Sequence, residues 1–281
     1  MFDCPKLDSL NRIPGILDLL STSAEFEYRM KDILAQVAHR PWPLPPGPWI
    51  MAQTWHDLLF AHWPVAIEHL RPLIPAALSI DTFEGCAWLG VVPFRMSGVR
   101  PRALPPLPWF SAFPELNVRT YVTRNGKPGV WFFSLDAANP VAVAAARALF
   151  HLPYFNAEMN CLREGDAIAY RSLRKHSAGT AVLRACYRPV GPAFHPIPGT
   201  LEFFLTERYC LYAETSRGQI LRCEIHHPPW PLQNAEAEFK ENTMPAAVGI
   251  PRPSGSPLLH FSLRQEVVVW RPVSAFAGPR H

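Results

Sequence analysis

The segment FPELNVRTYV, residues 113–122, carries the side chains best suited to chemistry on a small molecule. Read as a strand, it sends Glu115, Asn117, Arg119 and Tyr121 to one side and Leu116, Val118, Thr120 and Val122 to the other. Asn125-Gly126 follows, a hairpin signal in which both positions tolerate positive φ. With that pair as the turn, Tyr121 faces Val130, Arg119 faces Phe132, Asn117 faces Ser134 and Glu115 faces Asp136. Two carboxylates opposed in an enclosed space cannot both stay charged, so one is driven toward neutrality unless Arg119 or Arg147 lies between them. A carboxyl in that state works as an acid or base, with Arg119 to hold an anionic group.

The same pattern also fits a solvated sheet face or a structural ion network. Two features favour enclosure. Val130 and Phe132 suit open water poorly, and the next segment, NPVAVAAARALF (139–150), is an Ala-rich helix with only Arg147 charged. A helix that apolar is expected to be buried against or inside the sheet system. His62, in FAHWPV, ends a strand just before Pro64; it reads either as a general base or ligand donor, or as a histidine satisfied by backbone. His226 and His227 are adjacent, would face opposite ways on a strand and lack a third ligand, so no metal site is expected. Trp55, Trp88 and Trp131 read as core. RYCLYAE and TERY match no catalytic motif, and no nucleophile elbow, P-loop or dinucleotide fingerprint is present, so no cofactor is expected.

The elements that must position these side chains are mostly strands. Runs at 87–94, 116–122, 130–136, 167–173, 181–188, 209–214, 220–226 and 261–270 alternate or are β-rich, and the short turns RNGK, REGD and SRGQ separate several of them. Helices are few: one from Pro64 through Ile74, one at 139–150 capped by Asn139 with Pro140 in its first turn. Many strands with two or three helices predict a mainly β, α+β protein, a barrel or sandwich with inserted helices. Residues 1–47 read as an extension, weakly helical over 24–38 and then proline-rich in PWPLPPGPW, and residues 48–281 as a single domain.

Composition excludes several classes. With 48% hydrophobic and 18% charged residues among 281, the chain is globular, and a net charge of +4 without a basic run argues against nucleic-acid binding. The six cysteines form no C-x-x-C pair or dense framework, which suits reduced thiols. The start lacks a signal-peptide pattern, and VAVAAARALF is too short to span a bilayer, so a soluble cytoplasmic protein with no membrane partner is expected.

Seven segments carry a resemblance to a known family: TWHDLLFAHWPV (54–65), residues 73–100, ELNVRTYV (115–122), GVWFFSLDA (129–137), ARALFHLPYFNAEM (146–159), FFLTERYCLYAE (203–214) and IHHPPWPL (225–232). In this order they are similar to the YqjF-like family of uncharacterised bacterial proteins, related more distantly to acetoacetate decarboxylase. The resemblance implies a closed, cone-shaped antiparallel β-barrel with a small-molecule pocket inside, and it places Glu115 where the decarboxylase keeps a pocket carboxylate. That enzyme forms a Schiff base on a lysine in a Pro-Lys-Lys sequence; the matching stretch here is Leu152-Pro153-Tyr154-Phe155. None of the lysines (Lys6, Lys31, Lys127, Lys175, Lys240) fits that role, so a Schiff-base decarboxylase is not expected.

Two functions remain open. In an enzyme acting on a small carbonyl or carboxylate compound, Glu115 would be the acid/base, Arg119 the anion holder, and His62 or Tyr154 an assistant. In a non-catalytic binding barrel the same cluster, with Asn117, Tyr121, Phe132, Ser134, Asp136 and Arg147, would only hold the ligand. In either case the expected partner is a small organic molecule, anionic in character, with a homo-oligomer open.

Overall fold

The computed structural model describes residues 4–5, 23–102, 104, 111–176 and 179–276. Lys6 and most of the first part of the extension lie outside the described residues. Strands dominate, as composition and turn spacing predict. The central ones are β1 (Met51–Val65), β3 (Ala87–Pro101), β4 (Phe113–Arg124), β5 (Lys127–Ala137), β10 (Cys210–Glu214), β11 (Ile220–His226) and β13 (Leu258–Val269). A two-residue strand, β2 (Ser79–Ile80), pairs with β4.

Hydrogen-bonded neighbours run β11-β10-β5-β4-β3-β1-β13, and β11 also pairs with β13 through Ile225 opposite Val269 and His226 opposite Val268. The order of pairing thus returns on itself through seven strands. Not every ladder is antiparallel as expected: β10 pairs β5 in parallel, and so does β6 (Tyr154–Asn156) on the other end of β5. From β13 the sheet continues through β12 (Leu232–Asn242), β9 (Gly179–Phe194), β8 (Ala167–His176) and β7 (Glu158–Glu164). This wing folds back over the outer face of β3 and β4. The Tyr170 hydroxyl donates to the carbonyls of Phe94 (3.2 Å) and Glu115 (2.7 Å), and Leu116, Val118, Tyr170, Leu183 and Tyr187 share one buried cluster. A terminal strand, β14 (Val273–Ser274), pairs with β11.

Of the helices, α1 (Ser23–Ala35) docks Met30 and Ile33 on Trp49, Ala52, Val268 and Trp270. The segment from Pro64 is not the helix expected from its proline: β1 runs on to Val65, and only α2 (Ile67–Leu70) and one 3₁₀ turn follow. α3 (Pro140–Phe150) is capped as its sequence predicts, with the Asn139 side chain accepting from the amides of Val141 (3.0 Å) and Ala142 (3.1 Å). Its burial is not as expected. Val143 and Phe150 are buried, whereas Val141 and Leu149 are 56% and 65% exposed. Two short helices, α4 (Leu201–Thr206) and α5 (Met244–Ala247), complete the chain. No helix among the described residues is long and apolar enough to cross a membrane.

Candidate functional site

The β4–β5 hairpin turns at Asn125 and Gly126, both left-handed, and the predicted pairs hold as far as Arg119 opposite Phe132. There the register shifts: Val118 pairs with Ser134, so Phe133 is an extra residue on β5. Beyond this bulge Asn117 faces Leu135, Leu116 faces Asp136, and Glu115 faces Ala137. The expected Asn117–Ser134 and Glu115–Asp136 pairs do not form. Because side chains alternate along a strand, one inserted residue turns Ser134 and Asp136 to the outer face, with Leu116 and Val118. There Asp136 meets Arg174 Nε at 3.4 Å and Ser172 Oγ at 3.5 Å, under the wing. Burial raises the Asp136 carboxyl to about 6 although Arg174 and Ser172 act to lower it. Ser134 is fully buried, and its hydroxyl has no protein partner.

Of the β4 residues predicted to share one face, Glu115, Asn117 and Arg119 line a cavity of about 460 Å³ to which every strand of the seven-membered ring contributes. Phe113, Glu115, Asn117 and Arg119 line it from β4, Phe132 and Leu135 from β5, and Trp55, Phe94 and Met96 from β1 and β3. The walls are mostly apolar, which sets the chemistry of the few polar groups. Glu115 is buried, and the Tyr154 hydroxyl donates to its Oε2 at 2.9 Å. Burial raises the Glu115 carboxyl to about 8; the Tyr154 hydrogen bond works against that rise, and the Asp136 charge adds to it. At neutral pH, therefore, Glu115 largely keeps its proton. The Tyr154 hydroxyl is itself pushed well above its ordinary value by burial and by the neighbouring carboxylate.

Arg119 lies two residues deeper than Asn117, toward the floor made by α4. Its Nη2 donates to the Leu205 carbonyl (3.3 Å) and approaches the Tyr121 hydroxyl (3.5 Å), while its guanidinium stacks over Phe60. Tyr121 does not line the cavity. It is fully buried beneath Arg119, donating to the Leu205 carbonyl at 2.6 Å. His62 is likewise enclosed, with Nε2 2.7 Å from the Tyr121 oxygen. Since that hydroxyl spends its proton on Leu205, His62 Nε2 is the donor, leaving Nδ1 without a partner. Burial first, and then the Arg119 charge, hold His62 neutral, well below its usual range. This histidine braces the floor and is not in the cavity, contrary to a general-base role. Arg147 is also outside: its Nε donates to the Tyr154 carbonyl at 2.7 Å and so fixes the strand carrying that hydroxyl.

Among the lining residues that sequence reasoning did not place in the cavity are Thr206, Arg208, His227 and Trp230. TERY, which matches no motif, supplies Thr206 and Arg208 to the cavity, while Glu207 and Tyr209 bond to one another. Arg208 is committed to Asp81 (2.6 Å) and the Phe204 carbonyl (2.6 Å). His227 does diverge from its neighbour, as adjacency predicts: His226 bonds to the Ile33 carbonyl at 2.8 Å, whereas burial lowers His227, at the cavity wall, to about 4. Three buried polar atoms of lining residues have no protein partner: Asn117 Oδ1, Arg119 Nε and Trp230 Nε1. Such atoms are costly to leave unpaired, and a bound ligand or water would satisfy them. No lysine among the described residues lines the cavity, and among them no cluster of three or more His, Cys, Asp or Glu is placed to hold a metal.

Comparison with known proteins places this geometry. The model of the DUF2071 family, described as an uncharacterized conserved protein, matches residues 52–266. The uncharacterized protein YqjF of Bacillus subtilis strain 168 is 51% identical over 227 residues, covering 81% of this chain and 93% of that protein. Solved structures share the fold at low identity. An acetoacetate decarboxylase from Legionella pneumophila has a TM-score of 0.54 at 13% identity, over 86% of this chain and 95% of its own. The enduracididine biosynthesis enzyme MppR, solved with pyruvate, has a TM-score of 0.57 at 10% identity, over 84% and 93%.

Proposed function

The chain belongs to the DUF2071 family and has an acetoacetate decarboxylase-like fold, and from that premise we propose that it is an enzyme acting by acid/base chemistry on a small carbonyl or carboxylate compound. In this reading the seven-strand ring is a closed cone-shaped barrel and its lumen is the binding site. One observation carries the proposal: a carboxyl buried in the wall of an apolar cavity, with one oxygen fixed by a tyrosine hydroxyl, where burial favours the neutral acid. A neutral carboxylic acid of that kind donates a hydrogen bond to a carbonyl oxygen. When a C–H bond beside the carbonyl breaks, its proton passes to water and its electron pair enters the C=C bond of an enol. Glu115 gives its proton to the carbonyl oxygen and takes one back from solvent. Arg119 supplies the positive charge for an anionic group, and Asn117 and Trp230 offer unspent polar atoms for orientation.

MppR was solved with pyruvate, which makes oxo acids the first class of compound to try. By the resemblance, Tyr154 and Phe155 fall where the decarboxylase keeps its lysines, and no described lysine lines the cavity, so the reading runs through a hydrogen-bonded acid and not through an imine. The same substitution favours a second reading, a barrel that binds its ligand without turning it over. Proton-NMR exchange of the α-hydrogens of oxo acids in deuterated buffer separates the two. The enzyme reading expects accelerated exchange that disappears in Glu115→Gln while binding survives. Exchange no faster than buffer, with binding that depends on Arg119, makes the protein a binder.

A further inference from the structure

We infer that the ligand of this cavity is an elongated, amphipathic oxo acid of medium chain length, with its carboxylate at the Arg119 floor, its keto group level with Glu115 several carbons away, and its hydrocarbon end under α3. The inference rests on the reading of the cavity as an oxo-acid site and deepens it. Its first support is spacing. Glu115 and Arg119 lie on one face of β4, four residues apart, which puts their Cα atoms about 13 Å from one another. Nor do the side chains converge. Arg119 points its guanidinium to the floor, at the Leu205 carbonyl and Tyr121 hydroxyl, while Glu115 is engaged by Tyr154 from β6. A three-carbon oxo acid reaches one of these stations but not both.

The second support is the run of unspent polar atoms. Arg119 and Asn117 follow one another along the strand between floor and Glu115, each with an unpartnered buried atom, Nε and Oδ1, and Trp230, stacked on Trp55 of β1, adds Nε1. The third is what lies beyond Glu115. Phe113 comes next on the same face, and Met96, Val99, Val141, Leu149 and Phe150 continue the lining toward α3. Val141 and Leu149 are exposed for most of their surface while also lining the cavity, so the helix forms a rim that is apolar on both sides. A cavity of about 460 Å³ is of the size that encloses a drug-sized molecule, far more than pyruvate fills. Polar floor, acid in the middle and apolar mouth match the order of groups in a keto acid with a hydrocarbon tail.

The test is isothermal titration of the purified protein with straight-chain oxo acids of three to twelve carbons, the keto position varied at fixed length. The inference expects Kd to fall about fourfold per added methylene until the chain fills the cavity, and an internal keto group to bind better than a 2-oxo group of the same length. Ala146→Phe, on the half-buried face of α3 that lines the cavity, is expected to weaken the long acids at least tenfold more than it weakens pyruvate. Arg119→Gln is expected to weaken all members by a common factor. Short acids that bind through Arg119 with no gain in affinity along the series overturn the inference and leave the oxo-acid reading standing. No binding by any member overturns both.

Discussion

Replacing Glu115 by Gln keeps the shape of the side chain and an oxygen for Tyr154, but removes the titration. Burial raises this carboxyl from 4.5 to about 8 in the folded protein. Between those values the unfolded chain has released the proton and the folded chain retains it. Folding then takes up a proton, so stability falls as pH rises, by at most about 1.4 kcal/mol per pH unit. The stabilisation is fully present below about pH 4.5 and is lost by the time pH passes the folded value near 8. From pH 5 to pH 8 the loss is on the order of 3–4 kcal/mol, a large part of the 5–15 kcal/mol that holds an ordinary domain together. Other groups titrate over the same range, Asp136 among them, and they cancel when the two proteins are compared at each pH. Urea denaturation at pH 5, 6, 7 and 8 reads the difference. The wild-type protein is expected to lose about 3 kcal/mol or more relative to Glu115→Gln across the series. Parallel curves would refute the claim that an enclosed, protonated carboxyl sits at this position.

Other perturbations probe the parts that hold the cavity open. Tyr154→Phe takes away the hydroxyl that lowers the Glu115 value, so the pH range of that stability loss should move upward, at a cost of about 1–2 kcal/mol at pH 5; an unchanged range would contradict the hydrogen bond. Gly129→Ala places a Cβ 2.7 Å from Cys210 Sγ and 2.8 Å from the Cys210 carbonyl, where β5 and β10 join. Overpacking against backbone there should cost about 1–3 kcal/mol in guanidinium denaturation, and a change below about 0.5 kcal/mol would count against the parallel joint. Asp57→Ala strips the buried partner from Arg95 (2.8 Å) and Arg163 (2.6 Å), and about 3 kcal/mol of destabilisation is expected by the same assay.

The hairpin shows where sequence suffices and where it stops. Asn125-Gly126 determines the turn through positive φ, and the six pairs nearest it, from Arg124–Lys127 to Arg119–Phe132, follow by counting. The bulge at Phe133 leaves no mark, because FFSLD alternates acceptably in either register. Yet it moves Asp136 to the outer face and leaves Glu115 as the only carboxylate lining the cavity among the described residues. The cap of α3 was legible from Asn139 and Pro140, but its exposure was not. An apolar helix is normally a buried one, and this helix spends its apolar surface on the rim of a cavity. Thr206, Arg208 and Trp230 reach the lumen from α4 and from loops, where alternation gives no guide to direction. The family resemblance did what periodicity could not, in pointing the Glu115 face inward.

A crystal structure with a bound keto acid tests the central claim most directly. The keto oxygen should lie within about 3 Å of a Glu115 carboxyl oxygen, inside the ring of strands, with the carboxylate toward Arg119. A ligand seated elsewhere, such as the outer groove beside Arg174 and Phe155, with Glu115 untouched, would contradict it.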